Sequence, residues 1–308
     1  MYSYGPVPSR RLGFSLGVDI VPYKTCTIDC IYCQLGRTTH KRVKRKPFAP
    51  REDIIEEVRK SVSAGNEIDF ITFSGSGEPT LNSDIGRLIH EIKKITSIPV
   101  AVLTNGTLLF QEDVQKDLIE ADVVLPSLDA ASQDVFKKVN RPHQSLRIES
   151  VMDGLRSFRR FFRGLVWLEI MLIKGFNNRR QELSRIKKAV SEIRPDKVYL
   201  NTVSRPPSEI YAKPLNLDEM ISIKNYLDRN CEVIAEFHKK RSTEVKDIEG
   251  SIIEMVKRRA LTVTDITNVF GISKSNVKKL VEKLKEEGKI TDRQYREKKY
   301  FLFKSKAV

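Results

Sequence analysis

Three features of the 308-residue chain predict an α/β protein, built on a parallel sheet with a small second domain at the carboxyl end. Apolar strand-like runs alternate with periodic charged segments. Glycine and polar residues gather at the carboxyl ends of those runs. Near residue 240 the alternation gives way to short amphipathic helices. The strand-like runs cover 15–22, 68–75, 97–106, 121–129, 165–175 and 197–205, and segments 51–64, 82–96, 145–161 and 178–192 carry helical periodicity. Six such units read as a parallel sheet with helices on its faces, and sheets of this kind place their sites at the carboxyl ends of the strands. The expected division is a body over 1–240 and a module over 241–308, with helices at 246–260, 262–269 and 273–287 followed by a strand pair over 289–304. Ser273 caps the last helix, which turns Val277, Leu280, Val281 and Leu284 to one face and spreads Lys274, Lys278, Lys279, Lys283 and Lys285 over the rest.

Hydrophobic residues make up 40% and charged residues 31% of the chain, the balance of a globular protein rather than a disordered one. No apolar run is long enough to span a membrane, and the first residues lack the apolar stretch of a secretory signal, so the expectation is no membrane partner and a cytoplasmic location. The formal charge of +15 is concentrated at the ends: residues 1–50 hold nine Lys/Arg against two Asp/Glu, and residues 241–308 hold seventeen against ten. A polyanionic partner such as RNA accounts for basic ends around a near-neutral middle; simple solubility is the alternative.

Of four cysteines, Cys26, Cys30 and Cys33 fall within KTCTIDCIYCQLG, and Cys231 stands alone in an apolar run, where a buried inert thiol is expected. Three clustered thiols are not a disulfide framework and point to a metal. Structural zinc takes four closed ligands, and the fourth would have to be His40, which lies in no recognisable knuckle. Three thiolates on one 4Fe–4S cube leave one iron open for chemistry.

Through Cys26, Cys30 and Cys33, with Tyr32 before the third cysteine, the chain resembles the radical S-adenosylmethionine (SAM) superfamily over roughly residues 10–235. PSRRLGFSLGVD, CQLG and SGSGEPTL make it most similar to the branch that holds the 4-demethylwyosine synthases of transfer RNA. The resemblance implies an open partial (β/α)6 barrel, one 4Fe–4S cluster on the three cysteines, and SAM chelated through its amino and carboxylate groups. It also implies reductive cleavage to methionine and a 5′-deoxyadenosyl radical, with an electron donor such as ferredoxin or flavodoxin. The chain departs from that branch in having no cysteine before Cys26, so a second protein-held cluster is not possible.

The resemblance assigns Gly75-Ser76-Gly77-Glu78 to the segment that binds the amino group of SAM, with Ser76 interrupting its two glycines. Glycines there also let backbone approach a ligand closely. Thr104 and Asn105, Ser127 and Asp129 end the third and fourth strands and are candidate ligands for ribose or substrate, Asp129 as an acceptor from a ribose hydroxyl. Glu169, Met171, Asn201 and Thr202 are weaker candidates on the last two strands. Arg10, Arg11, Arg141 and Arg205 can grip phosphates bidentately, and the run Lys41 to Lys46 can form a basic funnel beside the site.

The carboxyl-terminal module resembles a winged helix-turn-helix, whose third helix and wing meet nucleic acid or a protein partner. The leading expectation is a single-cluster radical enzyme acting on RNA, with the module as a separable arm for capturing substrate. The alternatives are a protein or small metabolite as substrate, and a DNA-binding redox regulator.

Overall fold

The computed structural model describes residues 1–65, 67–227, 230–234 and 247–304. In chain order the first elements are β1 (Ser3–Ser9), β2 (Gly13–Val18), β3 (Thr25–Cys26), β4 (His40–Lys41), α1 (Arg51–Ser63) and β5 (Phe70–Phe73). They are followed by α2 (Ile85–Ile95), β6 (Val100–Thr104), α3 (Glu112–Asp117), β7 (Val123–Pro126), α4 (Gln133–Val139) and α5 (Ile148–Phe161). Then come β8 (Leu165–Leu172), α6 (Arg180–Ile193), β9 (Lys197–Thr202), α7 (Leu217–Leu227) and β10 (Cys231–Val233). The chain closes with α8 (Ile248–Arg258), α9 (Val263–Phe270), α10 (Lys274–Glu286), β11 (Ile290–Tyr295) and β12 (Lys298–Phe303).

Among the described residues one eight-stranded sheet runs β1-β2-β5-β6-β7-β8-β9-β10, with β1 and β10 at its edges. Strand β1 pairs antiparallel with β2, and every other pair is parallel. The six expected strands are β2 and β5 to β9, in sequence order. Strand β1 escaped the sequence reading because SYGPVPS carries two prolines, which an edge strand tolerates and a central strand does not. Cys231 begins β10 and is buried in the core, as expected.

The sheet has two unlike faces. Outward, Val18, Ile71, Val102, Val124, Leu168 and Val198 join the helices in the main core. Helix α2 supplies Ile85, Leu88, Ile89 and Ile92, the helical spacing that made it legible. Along β8 the alternation is strict: Val166, Leu168, Ile170 and Leu172 point to that core, so Trp167, Glu169 and Met171 take the inner side. The inner face has its own small cluster of Leu12, Ala101, Val123 and Leu125.

The expected boundary at residue 240 lies outside the described residues. Beyond it, α8, α9, α10 and the β11–β12 hairpin form a second core around Ile252, Ile266, Val281 and Phe301. The Ser273 hydroxyl accepts from the Asn276 amide, the cap read from the sequence. The module is not a free arm, because Val7 of β1 belongs to its core and Tyr4 packs against it.

Helix α9 opens with a reciprocal cap. The Thr262 hydroxyl accepts from the Asp265 amide at 3.1 Å, and the Asp265 carboxylate accepts from the Thr262 amide at 2.8 Å. Burial pushes the Asp265 carboxyl up, but the charges of Arg259 and Arg205 and the bonds from Thr262 outweigh it and hold it below its ordinary value. A depressed carboxyl stabilises the fold above its ordinary range, and that contribution is lost as pH falls through the folded-state value. Asp265→Ala is therefore expected to cost about 1 kcal/mol in urea unfolding at pH 7. The difference from the wild type should shrink toward pH 3.

Candidate functional site

Cys26 ends β3, and Cys30 and Cys33 follow on the loop to β4. The loop is held at several points, since its thiols need a fixed arrangement to share one ligand. The amides of Asp29 and Ile31 donate to the carbonyls of Asn140 and Val139 at 2.9 and 3.0 Å, and the Ser208 hydroxyl donates to the Cys30 carbonyl at 3.0 Å. Arg141 clamps the same loop, donating to the Asp29 carbonyl at 2.6 Å and pairing with Asp29 and Glu209. Arg141 is thus a brace outside the cavity and not the phosphate ligand considered for it.

All three cysteines line one cavity of about 390 Å³, together with Tyr32, Gly75, Gly77, Glu78, Asn105 and Ser127. Two side-chain amides meet the sulfurs: Asn105 Nδ2 lies 3.4 Å from Cys26 Sγ, and Asn140 Nδ2 lies 3.4 Å from Cys30 Sγ. Burial, followed by the charge of Glu78, pushes the Cys26 thiol up to about 12, and burial likewise raises Cys30 and Cys33. Without a bound cation these are neutral thiols, and a metal reverses that preference by coordinating the thiolate. Among the described residues no group of three His, Cys, Asp or Glu side chains is arranged to hold a single metal ion. His40 is exposed, with its ring against the Thr39 hydroxyl. Three thiols with His40 turned to solvent fit a cluster that keeps one iron open better than they fit four-ligand structural zinc.

The glycines of the Gly75–Glu78 segment are required by the protein's own packing. A Cβ on Gly77 would sit 1.8 Å from the Thr25 carbonyl oxygen, and one on Gly75, whose φ is +137°, would sit 2.5 Å from Asp19 Cγ. Asp19 in turn accepts from the Ser76 amide at 3.1 Å and the Ser76 hydroxyl at 2.5 Å. The segment is therefore pressed onto the residue preceding Cys26.

Two carboxylates expected to touch cofactor are held by bonds from the fold, Glu78 on the cavity wall and Asp129 behind it. Glu78, 2% exposed, accepts from the Thr80 amide and hydroxyl, the Thr104 hydroxyl and the Asn105 amide at 2.6 to 3.1 Å. Asp129 lies off the cavity wall and accepts from the Tyr32 hydroxyl, from Asn140 Nδ2 at 2.7 Å and from the Met171 amide at 2.9 Å. In each, one oxygen takes two or more of these bonds and the other takes one, from Asn105 in Glu78 and from Met171 in Asp129. Their physical role is to lock strand ends, because a buried carboxylate without donors is costly. Asn140, which links Asp129 to Cys30, was missed; a lone Asn after a helix gives no sequence signal.

Of the remaining candidates, Arg10, Arg11, Arg205, Glu169, Thr104 and Ser127 line the cavity, whereas Met171, Asn201 and Thr202 do not. None of the residues from Lys41 to Lys46 reaches its wall; Arg45 is bound to Asp113, Asp117 and the Thr80 carbonyl. The structure adds two cations from the carboxyl-terminal module, Arg258 and Arg259, which the sequence pattern had left on a helix end. Arg258 donates Nε to Asp19 at 2.9 Å, pairs with Glu254 and stacks over the Tyr4 ring at 4.5 Å.

Residues 20–185 match the model of the Radical SAM superfamily. The chain is 41% identical over 293 residues to the GTPase Obg of Brachyspira hyodysenteriae, a match that covers 94% of this chain but only 43% of that protein. It is 30% identical over 308 residues to the UPF0026 protein MJ1312 of Methanocaldococcus jannaschii, covering 97% of this chain and 95% of the relative. A shorter match, 34% over 156 residues, joins half of this chain to 46% of the GTP 3′,8-cyclase of Clostridium acetobutylicum. Among solved structures, a radical SAM methyltransferase from Sphaerobacter thermophilus shares the fold, with a TM-score of 0.54 at 16% identity over 71% of this chain and 65% of that one.

The chain therefore belongs to the radical SAM superfamily and is an enzyme that uses a 4Fe–4S cluster and SAM. Within that superfamily it groups with the UPF0026 proteins.

Gly77→Ala pushes a methyl group into the Thr25 carbonyl beside Cys26. It is expected to lower stability by about 1–3 kcal/mol and to reduce the iron retained after anaerobic reconstitution, read by thermal melting and iron assay. Glu78→Gln sets an amide donor against donors and is expected to cost about 1–3 kcal/mol in the same melting assay.

Proposed function

We propose that Cys26, Cys30 and Cys33 hold the cluster, that SAM lies along the ends of β5 to β7 in the same cavity, and that the substrate enters beside it. The observation that carries this reading is the convergence of the three thiols, the Gly75–Glu78 segment, Asn105 and Ser127 on one cavity. When bound and reduced, the cluster supplies the electron that cleaves SAM to methionine and the 5′-deoxyadenosyl radical. The chain's own residues bind and orient. Gly75 and Gly77 hold the segment close to β3, Asn105 and Asn140 direct N–H groups at two sulfurs, and Tyr32 is fixed by Asp129. The roles of these residues are our assignment.

The substrate is anionic in this reading, because Arg10, Arg11, Arg205, Arg258 and Arg259 share the cavity wall with the cysteines. The partial likeness to a GTP 3′,8-cyclase, whose name gives a nucleotide as its substrate, accords with that. RNA, in particular transfer RNA as in the wyosine branch, is the second reading. What favours it is α10, where Lys274, Lys278 and Lys279 are exposed and make no ion pair among the described residues. In this reading the module over 241–308 is winged-helix-like, as its three helices and hairpin suggest, and a ferredoxin or flavodoxin supplies the electron.

The test is anaerobic reconstitution with dithionite and SAM, with 5′-deoxyadenosine quantified in the presence and absence of RNA. Alanine at Cys26, Cys30 or Cys33 is expected to lower the yield more than 100-fold; cleavage that survives loss of all three refutes the assignment. A rise with RNA selects the second reading. Truncation before residue 245, expected from the sequence to spare cleavage, is now expected to impair it, because Arg258 leaves Asp19 and the Ser76 loop unbraced.

A further inference from the structure

We infer that the arginine-lined wall of the cavity is a binding site for the phosphate groups of a small phosphorylated substrate, gripped by Arg10, Arg11, Arg205 and Arg259. The inference rests on the proposed function only in taking this cavity as the reaction chamber. The four guanidiniums arrive from three distant parts of the chain: the turn after β1, the segment after β9 and the end of α8. Like charges brought to one wall repel one another, so an assembly of this kind needs compensation.

The described residues compensate Arg205 and Arg259 only in part. Arg11 pairs with Glu169, and Arg10 Nη2 lies 3.4 Å from Asn201 Oδ1. Arg259 donates to the Pro8 carbonyl at 2.9 Å and stands 3.9 Å from Asp265, while its buried Nε has no hydrogen-bond partner among the described residues. Arg205 makes neither a hydrogen bond nor an ion pair among them. Burial with the charges of Arg10 and Arg205 pulls Arg11 down to about 10, and burial with Arg205 and Arg10 does the same to Arg259. Both remain cationic at neutral pH, so the repulsion persists until an anion enters.

Guanidinium forks match phosphate oxygens in bidentate geometry. The side chains of Arg11 and Arg259 are only 17% and 14% exposed. A nucleic-acid backbone is tracked by an open basic groove, whereas recessed cations suit the terminal phosphate or diphosphate of a small molecule.

The experiment is calorimetric titration of the cluster-reconstituted enzyme, in the presence of SAM, with inorganic pyrophosphate. Competition by a nucleoside 5′-triphosphate and by a short RNA lacking terminal phosphates follows. Pyrophosphate and the triphosphate are expected to compete for one site. Arg205→Ala is expected to weaken pyrophosphate at least tenfold, and Arg205→Lys less. Arg205 makes no hydrogen bond or ion pair among the described residues, and its charge attracts Asp265 but repels Arg11 and Arg259, so Arg205→Ala is expected to leave the melting temperature of the ligand-free protein unchanged or higher, where loss of a structural brace lowers it. Pyrophosphate binding within twofold of wild type in Arg205→Ala overturns the inference, and so does displacement of pyrophosphate by the short RNA. If the wild type forms 5′-deoxyadenosine yet binds no pyrophosphate, this site fails while the proposed radical chemistry stands.

Discussion

The buried carboxylate of Asp19 is the constraint on which the cavity depends. Just past the end of β2, it accepts from the amide and hydroxyl of Ser76, in the loop after β5, and from Arg258 Nε of the carboxyl-terminal module. One side chain thereby joins the first parallel strand, the glycine segment and the second domain. Removing one partner of such a buried ion pair leaves the other charge uncompensated, at a cost of about 3–5 kcal/mol. Gly75 lies directly against this carboxylate, and Gly77 lies against the residue before Cys26. The path from Asp19 to the first cysteine is consequently a rigid stack with no room for a methyl group.

Glu78 and Asp129 repeat the device deeper in the sheet. Each stands at a strand end, is buried, and gathers hydroxyl, amide or backbone donors from neighbouring segments. Burial raises the carboxyl of each, and the surrounding donors act against that rise. Polar residues at the carboxyl ends of parallel strands thus serve in two ways, which Glu78 combines: some face the cavity, as Asn105 and Ser127 do, and others hold those residues in place from behind, as Asp129 does. Sequence position does not separate the two sets, because both occupy the same turn of chain.

The second domain acquires its meaning from β1. A proline-bearing edge strand carries Val7 into the module's core, and its Pro8 carbonyl takes a hydrogen bond from Arg259. Arg258 and Arg259 close α8 and are held against the amino-terminal strands, which brings two cations to a chamber built mainly by the other domain. A module read as a separable arm is, in the folded chain, part of the wall.

The sequence by itself determined the chemistry and the scaffold. The spacing of Cys26, Cys30 and Cys33 named the superfamily, and local periodicity located all six central strands, four of the flanking helices and the three helices of the module, since these signals depend only on near neighbours in the chain. Short α3 and α4 left too few turns for a period to show, whereas eleven-residue α7 was missed although Met220, Ile223 and Leu227 keep helical spacing. Only the tertiary structure decided which polar groups face the cavity. How Glu78 and Asp129 are held, and whether Arg141 or Arg205 is engaged, depends largely on donors and acceptors tens of residues or more away. Such long-range pairing of buried charges leaves no local trace in the chain.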